Sequence, residues 1–204
     1  MKANVPMPRY FQNRQQAGVL LARRLADYAG RGDVIVLGLP RGGMPVAFEI
    51  AQALRAPLDV LVARKLGVPG HEEFALGAIA GGVRVFNEHA FRGLGIGNEV
   101  LSEVLAREEV ELHRREAAYR GQRPPPEIAG HIVILVDDGI ATGATLRAAA
   151  RVLRAQYPAE LILAAPVAPD TVHREFAGEA DELVVLRTPE DFHGVGEWYV
   201  EFPK

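Results

Sequence analysis

The sequence predicts an α/β domain: a Rossmann-like parallel sheet flanked by helices. Two observations carry that prediction. Short, continuous apolar runs alternate with amphipathic or charged segments, and glycine-rich turns follow two of those runs. A strand that is apolar at every position is buried on both faces, as in a helix-covered parallel sheet. The size agrees: 204 residues, 49% hydrophobic and 24% charged, suit one domain spanning 1–204.

The elements follow in order. Residues 14–29 read as an amphipathic helix with Val19, Leu20, Ala22, Leu25 and Ala26 on its apolar face. VIVLGL, 34–39, reads as a buried strand, followed by a turn with Pro40, Gly42 and Gly43. Residues 45–55 form the next helix, with Pro45 suited to its first turn. LDVLVA, 58–63, is a second buried strand, and Arg64 and Lys65 would end it. The glycine-rich stretch 64–98 carries FALGAIA and VRVFN, a hairpin pattern. Residues 99–119 are helical and charged, and the three prolines of GQRPPPEIAG end that helix. HIVILVD, 131–137, is the strongest strand, and a helix to about Gln156 follows its turn. ELILAAPV, 160–167, a short helix near 170–177 and DELVVL, 181–186, complete the core. The tail, 188–204, is aromatic and irregular.

Composition removes several classes. With no cysteine, a disulfide scaffold, a thiol nucleophile and a cysteine zinc site are excluded. The first residues lack an apolar core typical of a signal peptide, and no apolar run reaches the ~18 residues of a membrane span. A cytoplasmic protein without a membrane partner is expected. A net charge of −3 argues against a nucleic-acid-coating surface, and no nucleic-acid partner is expected. His89, His113, His131 and His173 show no paired metal spacing, and no G-x-S-x-G elbow occurs.

VILVDDGIATGAT, 133–145, carries the most information. Asp137 and Asp138 fall at the carboxyl end of a buried strand, where open α/β sheets bind ligands. Gly139 and Gly143 allow a tight turn, Thr142 and Thr145 offer hydroxyls, and the following helix offers free N–H groups. These parts make an anion cradle. The two acids suit a vicinal diol or a hydrated Mg²⁺ instead, and a sugar phosphate satisfies both halves. A Walker loop would need a lysine and a dinucleotide loop would need G-x-G-x-x-G; both are missing. A plain strand–turn–helix would leave two acids together at a buried strand end, which is costly.

This stretch resembles the phosphoribosyl-pyrophosphate (PRPP) motif of type I phosphoribosyltransferases. The resemblance implies that Asp137 and Asp138 bind the ribose 2′- and 3′-hydroxyls and hold Mg²⁺, directly or through water. Gly139, Ala141, Thr142, Gly143, Ala144 and Thr145 would wrap the 5′-phosphate. Ala141 departs from the hypoxanthine-guanine branch, which has an acid there, and this weakens a 6-oxopurine acceptor.

GLPRGGMP, 38–45, is a second strand–loop–helix, with a guanidinium fork on Arg41 and open backbone at Gly42 and Gly43. It resembles the family's pyrophosphate loop, which implies a non-proline cis peptide between Pro40 and Arg41. Arg64 and Lys65 repeat the strand-then-base pattern and join that loop as pyrophosphate ligands. The resemblance also implies a mobile cover within 66–123, to which Gly67, Gly70, Gly81 and Gly82 would give freedom. For Arg114, Arg115 and Arg120 a solvated face with Glu–Arg pairs is favoured over a reach to pyrophosphate. A hood from the chain ends, mainly 188–204, would contact the acceptor through Phe192, Val195, Trp198 and Tyr199.

The core resemblance spans about 12–187. FQNRQQAG, RKLGVPGHEE and GVGEWYVEF narrow it to bacterial phosphoribosyltransferases of undefined substrate. It implies transfer of the 5-phosphoribosyl group from PRPP to a nitrogen nucleophile of the nucleobase class, releasing pyrophosphate. Arg41, Asp137 and Asp138 would carry that reaction, and a homodimer is the family analogy. Two rivals stay open: a PRPP-binding regulator without catalysis, and a protein acting on another phosphorylated sugar.

Overall fold

A computed structural model describes residues 8–68, 71–87 and 98–203. Its centre is a parallel five-stranded sheet in the order β2-β1-β6-β7-β8. The strands are β1 (Val34–Gly38), β2 (Leu58–Val60), β6 (Ile132–Val136), β7 (Glu160–Val167) and β8 (Glu182–Arg187). A smaller antiparallel sheet holds β3 (Ala63–Val68), β4 (His71–Ala80) and β5 (Val83–Phe86). The helices are α1 (Arg14–Arg24), α2 (Gly43–Leu54), α3 (Asn98–Arg120), α4 (Ala144–Arg154) and α5 (Val172–Glu175).

β1 and β6 are buried at every position, as continuous apolar runs require. Their side chains alternate between two cores. Val34, Val36, Ile132 and Ile134 meet α1 and α2, while Ile35, Leu37, Val133 and Leu135 meet α4 and the small sheet. Each fully buried aliphatic side chain contributes roughly 1.5–3 kcal/mol. The register places Gly38 opposite Val136, so β1 and β6 end at the same level. The two glycine-bearing loops therefore leave the sheet side by side.

Three expectations need correction. The first helix stops at Arg24, and a 3-10 turn, Ala26–Tyr28, takes over. Its buried stripe is Ala17, Gly18, Leu21 and Ala22, whereas Val19 is 40% exposed. The contact with α2 decides this, because a Cβ on Gly18 would stand 2.8 Å from the Glu49 Cβ. Second, the run 58–63 is not one strand. β2 ends at Val60, the Leu61 N–H donates to the Gly38 carbonyl, and the chain then crosses into β3. Its apolarity persists because Leu61 fills one core while Val60 and Val62 fill another, under α3. Arg64 and Lys65 therefore lie within β3, not at the end of β2. Third, Gly81 and Gly82 form the two-residue turn of the β4–β5 hairpin. Gly67 belongs to β3, and Gly70 and residues 88–97, with His89, lie outside the described residues.

α3 is a charged helix as expected. Arg114 and Arg115 pair with Glu111 on its exposed face. Arg120 is buried instead: Nε donates to Asp59 at 3.1 Å and Nη2 to the Val60 carbonyl at 2.7 Å. Among the described residues no helix is long and apolar enough to cross a membrane.

Candidate functional site

The site forms where β1 and β6 end. The Leu39 N–H donates to the Val136 carbonyl at 2.9 Å, which ties the first loop to the edge of the second. The Pro40–Arg41 peptide is cis, as the resemblance implied. The loop then closes into α2: the Gly43 N–H donates to the Leu39 carbonyl, and the Met44 N–H to the Arg41 carbonyl. The Gly43 amide is thus taken and does not face a ligand, contrary to expectation. The glycines serve another purpose. A Cβ on Gly42 would overlap the Asp138 carboxylate, and one on Gly43 would stand 2.5 Å from the Val136 carbonyl oxygen. Only glycine lets the two loops touch. Arg41 stays exposed beside them.

Asp137 and Asp138 sit at the mouth of the sheet. Asp137 anchors its N–H on the Ala164 carbonyl, and its Oδ1 accepts the Asp138 N–H at 2.9 Å. Burial, then the adjacent Asp138 charge, pushes the Asp137 carboxyl up to about 8. Asp138 has two partners that sequence reasoning missed in whole or in part. Arg14 Nε donates to its Oδ2 at 2.7 Å, and the Tyr199 hydroxyl donates to its main-chain carbonyl at 2.6 Å. A local signal for Arg14 existed. It occupies the first position of a helix, where the positive end of the dipole disfavours a cation that has no acidic partner.

The loop after the acids turns tightly into the N-terminus of α4. The Ile140 N–H donates to the Val167 carbonyl, pinning the loop to the neighbouring strand, and Ile140 is buried. Ala141, Thr142, Ala144 and Thr145 remain exposed at the start of α4. Gly143 caps that helix at φ +68°, and a Cβ there would press on the Phe176 ring at 2.5 Å. With Asp137 and Gly139 these residues line a cavity of about 160 Å³, small enough to suit a single anionic group.

A second cavity, about 420 Å³, joins Pro40, Arg64, Lys65 and Thr145. Of the pyrophosphate candidates it brings together Arg64 and Lys65, which reach it from β3, whereas Arg41, Gly42 and Gly43 are not in its lining. α3 adds Arg107, Glu108 and Arg115 to the lining. Glu108 is buried and accepts from Arg64 Nε at 2.8 Å and from Arg107 Nε at 3.2 Å. Arg64 and Arg107 thus share Glu108, Arg115 pairs with Glu111, and with Lys65 the lining is predominantly cationic.

The tail reaches the site but spreads its aromatics unevenly. Val195 packs directly on Gly139. Phe192 and Trp198 belong to a cluster around Phe11, and the Trp198 Nε1 is buried without a hydrogen-bond partner among the described residues. The Tyr199 ring is enclosed, 5.5 Å from the Phe11 ring, and only its hydroxyl touches the site. The structure thus brings Val195 and the Tyr199 hydroxyl to the acid pair, and places the other aromatics behind them.

Comparison with known proteins agrees with this arrangement. The family described as phosphoribosyl transferase domain matches residues 11–199. A Mycobacterium tuberculosis protein provisionally named phosphoribosyl transferase is 49% identical over 193 residues, 94% of this chain. The chain spans 43% of that relative's length. A bifunctional protein PyrR of Corynebacterium diphtheriae is 26% identical over 162 residues, covering 79% of this chain and 67% of that one. The crystal structure of TT1426 from Thermus thermophilus superposes with a TM-score of 0.87 at 41% identity, covering 96% of this chain and 92% of that one.

Proposed function

The chain belongs to the phosphoribosyl transferase family and has its type I fold, and on that premise we propose that it transfers the 5-phosphoribosyl group of PRPP to a nitrogen nucleophile of the nucleobase class. One observation carries the reading: the contact of Gly42 with Asp138. It sets the PRGG loop against the acid pair, beside the loop that lines the small cavity and shares Thr145 with the cation-lined one.

PRPP matches those parts. Asp137 and Asp138 accept hydrogen bonds from the ribose 2′- and 3′-hydroxyls. The loop 139–145 holds the 5′-phosphate through Thr142, Thr145 and the first amides of α4. Arg41, Arg64 and Lys65, with Arg107 and Arg115 opposite, face the pyrophosphate. In the reaction the C1–O bond to pyrophosphate breaks and a C1–N bond forms, while the acceptor nitrogen gives up a proton to solvent. C1 becomes oxocarbenium-like, so these residues hold the reactants in line and neutralise the departing charge. Val195, packed on Gly139 beside the acids, would face the acceptor.

The donor set fits Mg²⁺ of the substrate-borne kind. Among the described residues no group of three or more His, Cys, Asp or Glu could hold a metal. Two carboxylates plus substrate oxygens and water are the usual company of Mg²⁺. Asp137 and Asp138 would hold it, and it would supply positive charge to the leaving pyrophosphate. Ala141 supplies no acid to a purine, so a 6-oxopurine is the acceptor least supported.

Incubation with PRPP, Mg²⁺ and a nucleobase panel, read by pyrophosphate release, tests the proposal. Release dependent on one base is expected. Binding of PRPP without release on any base would favour a regulator, and no binding of PRPP would remove the reading.

A further inference from the structure

Asp138 is an unusual diol ligand, because one of its oxygens is already engaged. Arg14 Nε lies 2.7 Å from Oδ2, and the two side chains are only 11% and 14% exposed. The arginine is held twice more. Its Nη1 donates to the Pro203 carbonyl at 2.7 Å, and its guanidinium carbon stands 3.9 Å from the centre of the Phe202 ring. From the other side, Tyr199 pins the main-chain carbonyl of Asp138. The segments that carry these groups are joined to each other. The Phe11 N–H donates to the Trp198 carbonyl, and the Val200 N–H to the Phe11 carbonyl, both at 2.8 Å.

Two adjacent carboxylates repel, and Asp138 also lies against Gly42 with no room to turn away. A fixed cation on Oδ2 offsets part of that repulsion and holds the rotamer. A charge-assisted, doubly anchored guanidinium does this better than solvent would. We infer that Arg14 is a positioning residue for ribose recognition: it clamps Asp138 so that Oδ1, outside the ion pair, serves the sugar diol. The inference rests on the PRPP reading above, and it gives the paired segments 11–14 and 198–203 a role in donor binding as well as acceptor binding.

The test compares wild type, Arg14→Gln, Arg14→Lys and Phe202→Leu by calorimetric titration. The probes are PRPP with Mg²⁺, ribose 5-phosphate, and inorganic pyrophosphate without a metal ion. Arg14→Gln should lose about tenfold or more in affinity for the two ribose probes, the scale of a charged hydrogen bond, and keep its affinity for pyrophosphate. Arg14→Lys should recover part of the loss, and Phe202→Leu should show a smaller loss with the same pattern. Unchanged ribose affinity in the variants overturns the inference. So does an equal loss on all three probes, which would mark a merely structural arginine. If Arg14→Gln does not fold, Arg14→Lys and Phe202→Leu decide by the same pattern. A wild type that binds neither ribose probe would fail the PRPP reading itself, whereas a binding wild type with indifferent variants fails the clamp alone.

Discussion

Gly42 has ordinary helical backbone angles, φ −62° and ψ −37°, so its conformation does not demand glycine. The demand comes from Asp138, whose carboxylate fills the space of a Cβ. Gly42→Ala should therefore cost about 1–3 kcal/mol through overpacking, measured by urea denaturation, and should weaken PRPP binding by displacing the acid. Asp137 gives a pH signature in the ligand-free protein. Unfolded, its carboxyl loses a proton near 4; folded, near 8. Between those values the folded state holds a proton that the unfolded chain lacks. This group's contribution to stability therefore falls as pH rises through that window, and its penalty is complete above about 8. Asp137→Asn should remove the slope, and its melting temperature should exceed the wild type's most clearly at pH 9. A variant curve parallel to the wild type from pH 5 to 9 would refute the buried-acid account.

At the scale of elements, the short edge strand β2 depends on α3 more than its three residues suggest. Arg120, in the last turn of α3, donates to Asp59 and to the Val60 carbonyl, and its side chain is 8% exposed. Arg120→Met should cost about 3 kcal/mol, because it leaves a nearly buried acid without its counter-charge and the Val60 carbonyl without this donor. Pairing it with Asp59→Leu should return much of that loss, a coupling that a double-mutant cycle measures. The elements also show why sequence patterns ran out. The run 58–63 reads as one strand because five of its six residues are apolar, but Leu61 packs in one core and Val60 and Val62 in another. Likewise α1 buries Ala17 and Gly18 rather than Val19, because close approach to α2 favours small residues over apolar ones.

Over the whole molecule, a net charge of −3 coexists with a cation-lined crevice because Arg64, Lys65, Arg107 and Arg115 are gathered at one place. Saturating PRPP with Mg²⁺ at about 100 times its Kd should add ~2.7 kcal/mol to stability, or roughly 5–10 °C in melting temperature for a domain of this size. A scan without a shift would show that the loops do not act together. The sequence by itself determined the strands, the acid pair, the glycine–threonine loop and the PRGG loop. These are local patterns: a strand buried on both faces must be apolar throughout, and an anion cradle needs small residues and hydroxyls at fixed spacing. Only the tertiary structure decided what stands beside them. Arg14 meets Asp138 across 124 residues of chain, and Gly42 meets it because β1 and β6 pair in register. Tyr199 turned from an expected base contact into a hydrogen-bond donor to the acid loop. Such contacts depend on which strands lie side by side and on how closely the segments pack, and no short window of sequence encodes either.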